Sequence, residues 1–319
     1  MIGVAVLLVL TASQSAGQVI PGPEGPVEFI GLRQWDAQEL FDAIRDLYPD
    51  LPFHACAVVM KDKLGFADAA AISYRTRGTD GEYTIVVGVE DSARIRYRAT
   101  GNETVVLPEI WLKLKAAVDE DVRTVTAAAA TLHSRDGAPA AAFGEVWDLV
   151  DRADTEEDRI LAHEVLARDS SASARAVATL VLGNFTGDQT SWHGLVGSLI
   201  DTGGRVSTVA SSVLEGLTRR DLDPVEWSGA RTTLSAIFDG TNPFVFNRTL
   251  RLLMATGIDP EFGQQLVRES PDLLLAHLGA EHEFSRAVAL AFLKAVSGED
   301  FGADVAAWTA WIDGRADEG

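Results

Sequence analysis

The side chains in this sequence that could hold a metal or move a proton are few and scattered. Six histidines stand at His54, His133, His163, His193, His277 and His282. Hydrolytic zinc chemistry needs two histidines one helical turn apart with a glutamate beside the first, so that both rings reach one ion. His163-Glu164 and His282-Glu283 begin that pattern, but neither has the second histidine. His277 and His282 are separated by a spacing that does not place two rings on one helical face. All six are expected as helix caps or surface residues. Cys56 is the single cysteine, so no intramolecular disulfide or cysteine-rich metal site can form. Its surroundings, HACAVVMKDKLG, put Cys56, Val59, Met60 and Leu64 on one helical face, which predicts a buried thiol rather than a nucleophile. The acidic pairs Asp119-Glu120 and Glu156-Glu157 have no apolar pocket suggested around them that would raise a carboxyl pKa for acid–base work. A GxSxG elbow, a phosphate-cradling glycine loop and a GxGxxG turn are all absent. No catalytic, cofactor-binding or metal-binding residue is therefore assigned from the sequence, no cofactor is called for, and the chain reads as a non-enzyme.

The elements that carry these residues follow from patterning. Of 319 residues, 47% are apolar and 23% charged, which suits a globular chain of roughly two domains. The formal net charge of -20 argues against nucleic acid or an anionic membrane surface as a partner. Most of the acidity lies beyond residue 98, where it reads as a solubilising surface or as a docking face for a basic partner. At the N-terminus, IGVAVLLVL (2–10) followed by TASQSAGQ looks like a secretory signal peptide ending at Gly17, although no Lys or Arg precedes the apolar run. The run is too short to span a bilayer. The mature chain is expected to be exported, periplasmic or extracellular, without a transmembrane span. Residues 18–26, containing PGPEGP, read as a linker.

Residues 27–104 read as a small α+β domain. VEFIGL (27–32) is a strand, and Asp36 with Glu39 begins a helix over 37–47. A second helix covers 53–64 and stops at Gly65. AAISYRTR (70–77) and YTIVVGVE (83–90) alternate as strands around a TDG turn. Arg94, Arg96 and Arg98 alternate with Ile95 and Tyr97, which predicts a further strand and, with TVVL (104–107), a hairpin. The arginine stripe is expected to be the solvated face of that strand, with an anion-binding role as the sharper reading.

The order strand-helix-helix-strand-strand, the opening VEFIGL, the second helix ending in LGF and the closing hairpin resemble a POTRA domain. Here the domain occurs once and helices follow it. The resemblance implies an extracytoplasmic module that adds a partner strand at its sheet edge, in association with an outer-membrane or secretion component. The family's edge strand corresponds to residues 71–77, so Ile72, Tyr74 and Thr76 are the partner-binding residues it implies.

Residues 105–319 are read as amphipathic helices separated by Gly, Asp, Pro and Ser breaks, with predicted spans from 109–133 to 302–313. RAVATLVLGNF (175–185) and RAVALAFLKAV (286–296) are alike. Asp169, Val177, Ala178, Val181 and Leu182 recur 32 residues later at Asp201, Val209, Ala210, Val213 and Leu214. This pattern resembles the HEAT-like repeat, in which the Asp and Arg stabilise successive repeats. Asp169 with Arg175 fits the motif, whereas Asp201 with Arg205 has a different spacing. The helices can stack as a superhelix or pack as a compact bundle, and the repeat similarity favours the superhelix. The sequence therefore predicts a small α+β domain followed by an all-α HEAT-like array. The function expected is that of an exported protein-binding scaffold of the bacterial cell envelope. The competing reading is an enzyme or enzyme accessory that holds a small molecule without a legible catalytic motif.

Overall fold

A computed structural model describes residues 17–75, 82–134 and 143–314 of the chain. The first element arises in the expected linker. Gln18–Gly22 (β1) pairs antiparallel with Gly25–Ile30 (β2), and Pro21 lies opposite Pro26. Proline is tolerated there because β1 is an edge strand, where the missing N–H faces away from the ladder. Gly25 has φ of +140°, and a Cβ on it would meet the Glu82 carbonyl oxygen at 2.2 Å, so this tight turn requires glycine.

Two helices follow, Ala37–Leu47 (α1) and Cys56–Lys63 (α2). The Asp36 side chain caps α1 by accepting from the Gln38 and Glu39 N–H groups. A 3-10 turn, Phe53–Ala55, leads into α2. Asp68–Arg75 (β3) and Glu82–Val89 (β4) complete a mixed sheet of order β1-β2-β4-β3, in which β2 and β4 run parallel. Period-two alternation gives the sheet two apolar faces. Val27, Phe29, Ala69 and Val86 pack on α1 and α2, around a buried Cys56 whose thiol burial pushes up to about 12. Ile30, Ala70, Ile85 and Val87 face the other way and share one continuous core with the helices that follow. A sheet buried on both faces accounts for the near-continuous apolar run in β4.

The helical region comprises Glu109–Ser134 (α3), Gly144–Asp151 (α4), Glu156–Arg168 (α5), Ala172–Leu182 (α6), Gln189–Leu199 (α7), Gly204–Leu217 (α8), Arg231–Asp239 (α9), Phe246–Ala255 (α10), Pro260–Glu269 (α11), Asp272–Leu278 (α12), Glu283–Ser297 (α13) and Val305–Ile312 (α14). α5, α7, α9 and α11 form one row. α6, α8, α10 and α13 form a second row against it, and α3 lies across α6 and α8. α3 breaks at Asp121, which is extended, with φ of -149° and ψ of 88°. α6 is buried from Ser173 to Leu182, as a helix covered on every side must be.

The predicted hairpin over 94–107 does not form. After a 3-10 turn at Ser92–Arg94, the chain runs as a single extended strap across the helix ends. Arg94 pairs with Asp272, Arg96 with Asp239 and Arg98 with Asp201. The Val105 N–H donates to Asp169 at 2.8 Å. These four aspartates lie 32, 38 and 33 residues apart. The expected solvated face is therefore not what forms: Arg94 and Arg98 are half-buried, and Arg96, though exposed, is paired as well. They bind a row of carboxylates supplied by successive helix pairs, met by the strap in reverse chain order.

The strap also bridges to the backbone, with Glu103 N–H donating to the Arg168 carbonyl at 3.0 Å and Ser170 N–H donating to the Glu103 carbonyl at 2.8 Å. Two residues before Glu103, a Cβ on Gly101 would lie 1.9 Å from the Arg168 carbonyl oxygen. Gly101→Ala must therefore lift the strap, and a loss of about 1–3 kcal/mol is expected. Urea unfolding measures the loss, and faster hydrogen exchange at the Ser170 amide would locate it to the strap.

Candidate functional site

The sheet meets the second helical row at a polar and aromatic seam. It begins with Glu28 of β2, a carboxylate on the array-facing side of the sheet with 0% exposure. Alternation forces it there, since Val27 and Phe29 fill the opposite face. Glu28 accepts from the Tyr83 hydroxyl at 2.9 Å and from the backbone N–H groups of Glu281 and His282 at 2.5 and 3.1 Å. Those amides lie at the start of α13, where unpaired N–H groups and the helix dipole favour an anion.

The His282 ring rests on two cross-strand neighbours. Its centroid is 4.3 Å from Tyr74 and 4.5 Å from Tyr83, and Phe284 lies 5.6 Å away on its outer side. Burial pulls the His282 pKa down, opposed by the charges of Glu28 and Glu283, so the ring is neutral at pH 7. Burial raises the Tyr83 pKa, and the hydrogen bond and charge of Glu28 raise it further. Burial likewise raises that of Tyr74, with Arg251, Asn247 and Arg248 acting in the opposite direction. Both phenols are neutral hydrogen-bonding groups. Phe284 is 66% exposed, so the stack opens outward as an aromatic surface. Phe244, also exposed, lies under the Arg248 guanidinium at 5.1 Å from its ring centroid.

A cavity of about 170 Å³ lies between α8 and α10, lined by Ser211, Leu214, Glu215, Arg248, Arg251 and Leu252 among others. A buried polar trio links α10, α12 and α13. Ser285 Oγ is 2.8 Å from His277 Nδ1, and Asn247 Nδ2 donates to Ser285 Oγ at 3.3 Å. The Phe246 ring stacks on His277 at 5.1 Å. Burial lowers the His277 pKa to about 3. The Ser–His contact has the reach of a nucleophile and its base, but both side chains are fully buried, so no substrate carbonyl can approach.

Of the residues that the POTRA resemblance implies, Ile72 and Tyr74 share the array-facing side of β3 with Ala70 and are half-buried. Tyr74 is part of the seam rather than a free edge side chain, and Thr76 lies outside the described residues. β3 is the outer strand, with β4 on one side only. Its first residue is already engaged, because the Asp68 carboxylate accepts from Asn242 N–H and from the Tyr97 hydroxyl.

The histidines do not all behave as caps or surface groups. His277 and His133 are buried, whereas His54 is exposed and His193 Nε2 donates to the Glu226 carbonyl. Sequence reasoning also passed over Glu28. Its signal was a lone glutamate inside an apolar strand whose neighbours alternate onto two buried faces. No protein-family model matches the chain, no curated protein matches its sequence, and no solved structure matches its fold.

Proposed function

We propose that the chain is an exported, non-enzymatic scaffold of the bacterial cell envelope that holds a protein partner at the seam between the small sheet and the helical array. The observation that carries this reading is the outward-facing stack of Tyr74, His282 and Phe284 beside the outer strand β3. Aromatic side chains held rigid on a packed base are the groups that dominate protein recognition, because they bury much area with little loss of conformational freedom. The POTRA-like order of the sheet supports strand addition along the part of β3 beyond Asp68, and the HEAT-like pairing of helices supports a second contact surface. The apolar run at 2–10 supports export, with association to an outer-membrane or secretion component. No helix among the described residues is long and apolar enough to cross a membrane.

The test is a photo-crosslinking residue placed at 284 and, as a control, at the exposed Ile160. Exposed to envelope extract, the first should yield a discrete protein adduct and the second none. With the photo-crosslinking residue moved to the exposed neighbour Glu283, Phe284→Ala is expected to weaken capture about 10-fold or more. Because Phe284 is exposed, it should shift stability by no more than about 0.5 kcal/mol. Equal adducts from both positions would sink the reading.

The cavity between α8 and α10 favours a second reading, an enzyme or accessory that binds a small molecule. With Arg248 and Arg251 on its wall, it suits a small anionic ligand. A small molecule retained by the purified chain, with no protein adduct at 284, would favour that alternative.

A further inference from the structure

We propose that Glu24, His54 and Glu82 form a binding site for one zinc ion on the outer surface of the small sheet. Three separate segments bring them together. Glu24 lies in the β1–β2 turn, His54 in the 3-10 turn Phe53–Ala55, and Glu82 at the start of β4. One ligand atom from each lies within 4.8 Å of the other two. His54 Nδ1 stands 4.0 Å from Glu82 Oε2.

The backbone beneath the cluster is held firmly. The Glu82 N–H donates to the Glu24 carbonyl at 2.9 Å, and the approach depends on the glycine at 25. The Phe53 N–H donates to Glu24 Oε2 at 3.3 Å, which aims that carboxylate at the neighbouring turn. Phe53 is buried and stacks on Phe41 at 4.6 Å, so the turn bearing His54 is anchored by its own core residue. Glu82 divides its oxygens, Oε1 facing Arg75 and Oε2 facing His54. Among the described residues no lysine or arginine pairs with Glu24. Two carboxylates are thus held close to one imidazole, with Arg75 the one arginine paired to them among the described residues, an arrangement that a dication neutralises.

The donor set selects the class of ion. Calcium and magnesium take all-oxygen shells, whereas one imidazole nitrogen with two carboxylate oxygens suits zinc and leaves a position for water. Zinc bonds of about 2.0–2.1 Å place tetrahedral ligand atoms about 3.3 Å apart. Rotation of exposed glutamate and histidine side chains closes that gap without moving the backbone. Bound zinc would tie the hairpin turn, the turn before α2 and β4 into one unit. The site does not depend on the partner-binding reading.

The test uses the full chain stripped by a chelator and titrated with zinc in competition with a chromophoric chelator. One equivalent should bind, and zinc should raise the Tm. His54→Ala and Glu24→Gln should each weaken binding about 10-fold or more, the scale on which changes in a metal's shell act. Each should also abolish the Tm rise, while Glu261→Gln, on the exposed surface of α11, changes neither. Circular dichroism confirms that the variants remain folded. Zinc affinity that survives both ligand substitutions, absence of saturable zinc binding, or calcium binding as tight as zinc would overturn the assignment.

Discussion

Asp201→Asn is expected to remove about 3–5 kcal/mol of stability, the range found when one partner of a buried ion pair is deleted. Arg175 reaches Asp201 with two parallel hydrogen bonds of 2.9 Å, from Nε and Nη2. The side chains are 3% and 0% exposed. Arg98 of the strap adds a bond at 2.5 Å, and the Gly203 N–H another at 2.7 Å. Burial alone would raise the Asp201 pKa, but the bonds from Arg175, Gly203 and Arg98 outweigh it and hold the carboxyl below its ordinary value. One carboxylate therefore serves two guanidinium groups. Asparagine keeps the shape but not the charge, leaving Arg175 buried with no anion and Arg98 facing it across the same gap.

Arg175→Met should cost less. The two bonds from Arg175 to Asp201 and its bond to the Asp169 carbonyl are lost, but Asp201 retains Arg98 and the Gly203 amide, so no buried charge is left unpaired. The expected order is therefore Asp201→Asn well below Arg175→Met in urea midpoint. If the arginine substitution proved equally or more costly, Arg98 would not be acting as a second partner. Because the pair joins the first turn of α6 to the end of α7, the loss should appear across the helical rows rather than in the sheet.

This pair also marks the limit of what the sequence disclosed. Helix starts were legible because their causes are local. Asp36, three residues before Glu39, caps α1 where that spacing predicts a helix start. The helix end at Gly65 is equally plain, since that residue adopts positive φ. The sheet's alternation fixed which residues of β2, β3 and β4 share a face. The motif matches Arg175 to Asp169, and Nη1 does donate to that residue's carbonyl, but Nε and Nη2 go to the carboxylate of Asp201 in the next helix pair.

The strap is illegible in the sequence for a related reason. RIRYR has the period of a strand, and only contacts more than a hundred residues away decide whether the partner is another strand or a row of helix ends. Glu28 belongs to the same category, because its two backbone donors lie more than 250 residues away at the start of α13. Proline at 21 disguised β1, since proline is read as a break unless the strand is known to be an edge.

The buried His277 gives a second large effect, this one dependent on pH. Its folded-state pKa is pulled down to about 3 from an ordinary 6.5 because burial disfavours the charged ring. The unfolded chain therefore binds a proton that the folded chain refuses between those values. Stability from this group is complete above pH 6.5 and is lost progressively as pH falls toward 3. At pH 5 the loss amounts to about 2 kcal/mol, from 1.36 kcal/mol per unit over roughly 1.5 units. Carboxylates elsewhere titrate in the same window, so the group is isolated by difference. His277→Asn keeps an acceptor for Ser285 where Nδ1 stands and removes the titration. It should be less stable than the parent at pH 7, because it leaves a void beside Phe246. The gap between variant and parent should then narrow by about 2 kcal/mol at pH 5. Urea midpoints at the two pH values measure this directly. A gap that stays constant would mean that His277 takes up its proton while the protein is folded, and that water reaches the trio it forms with Asn247 and Ser285.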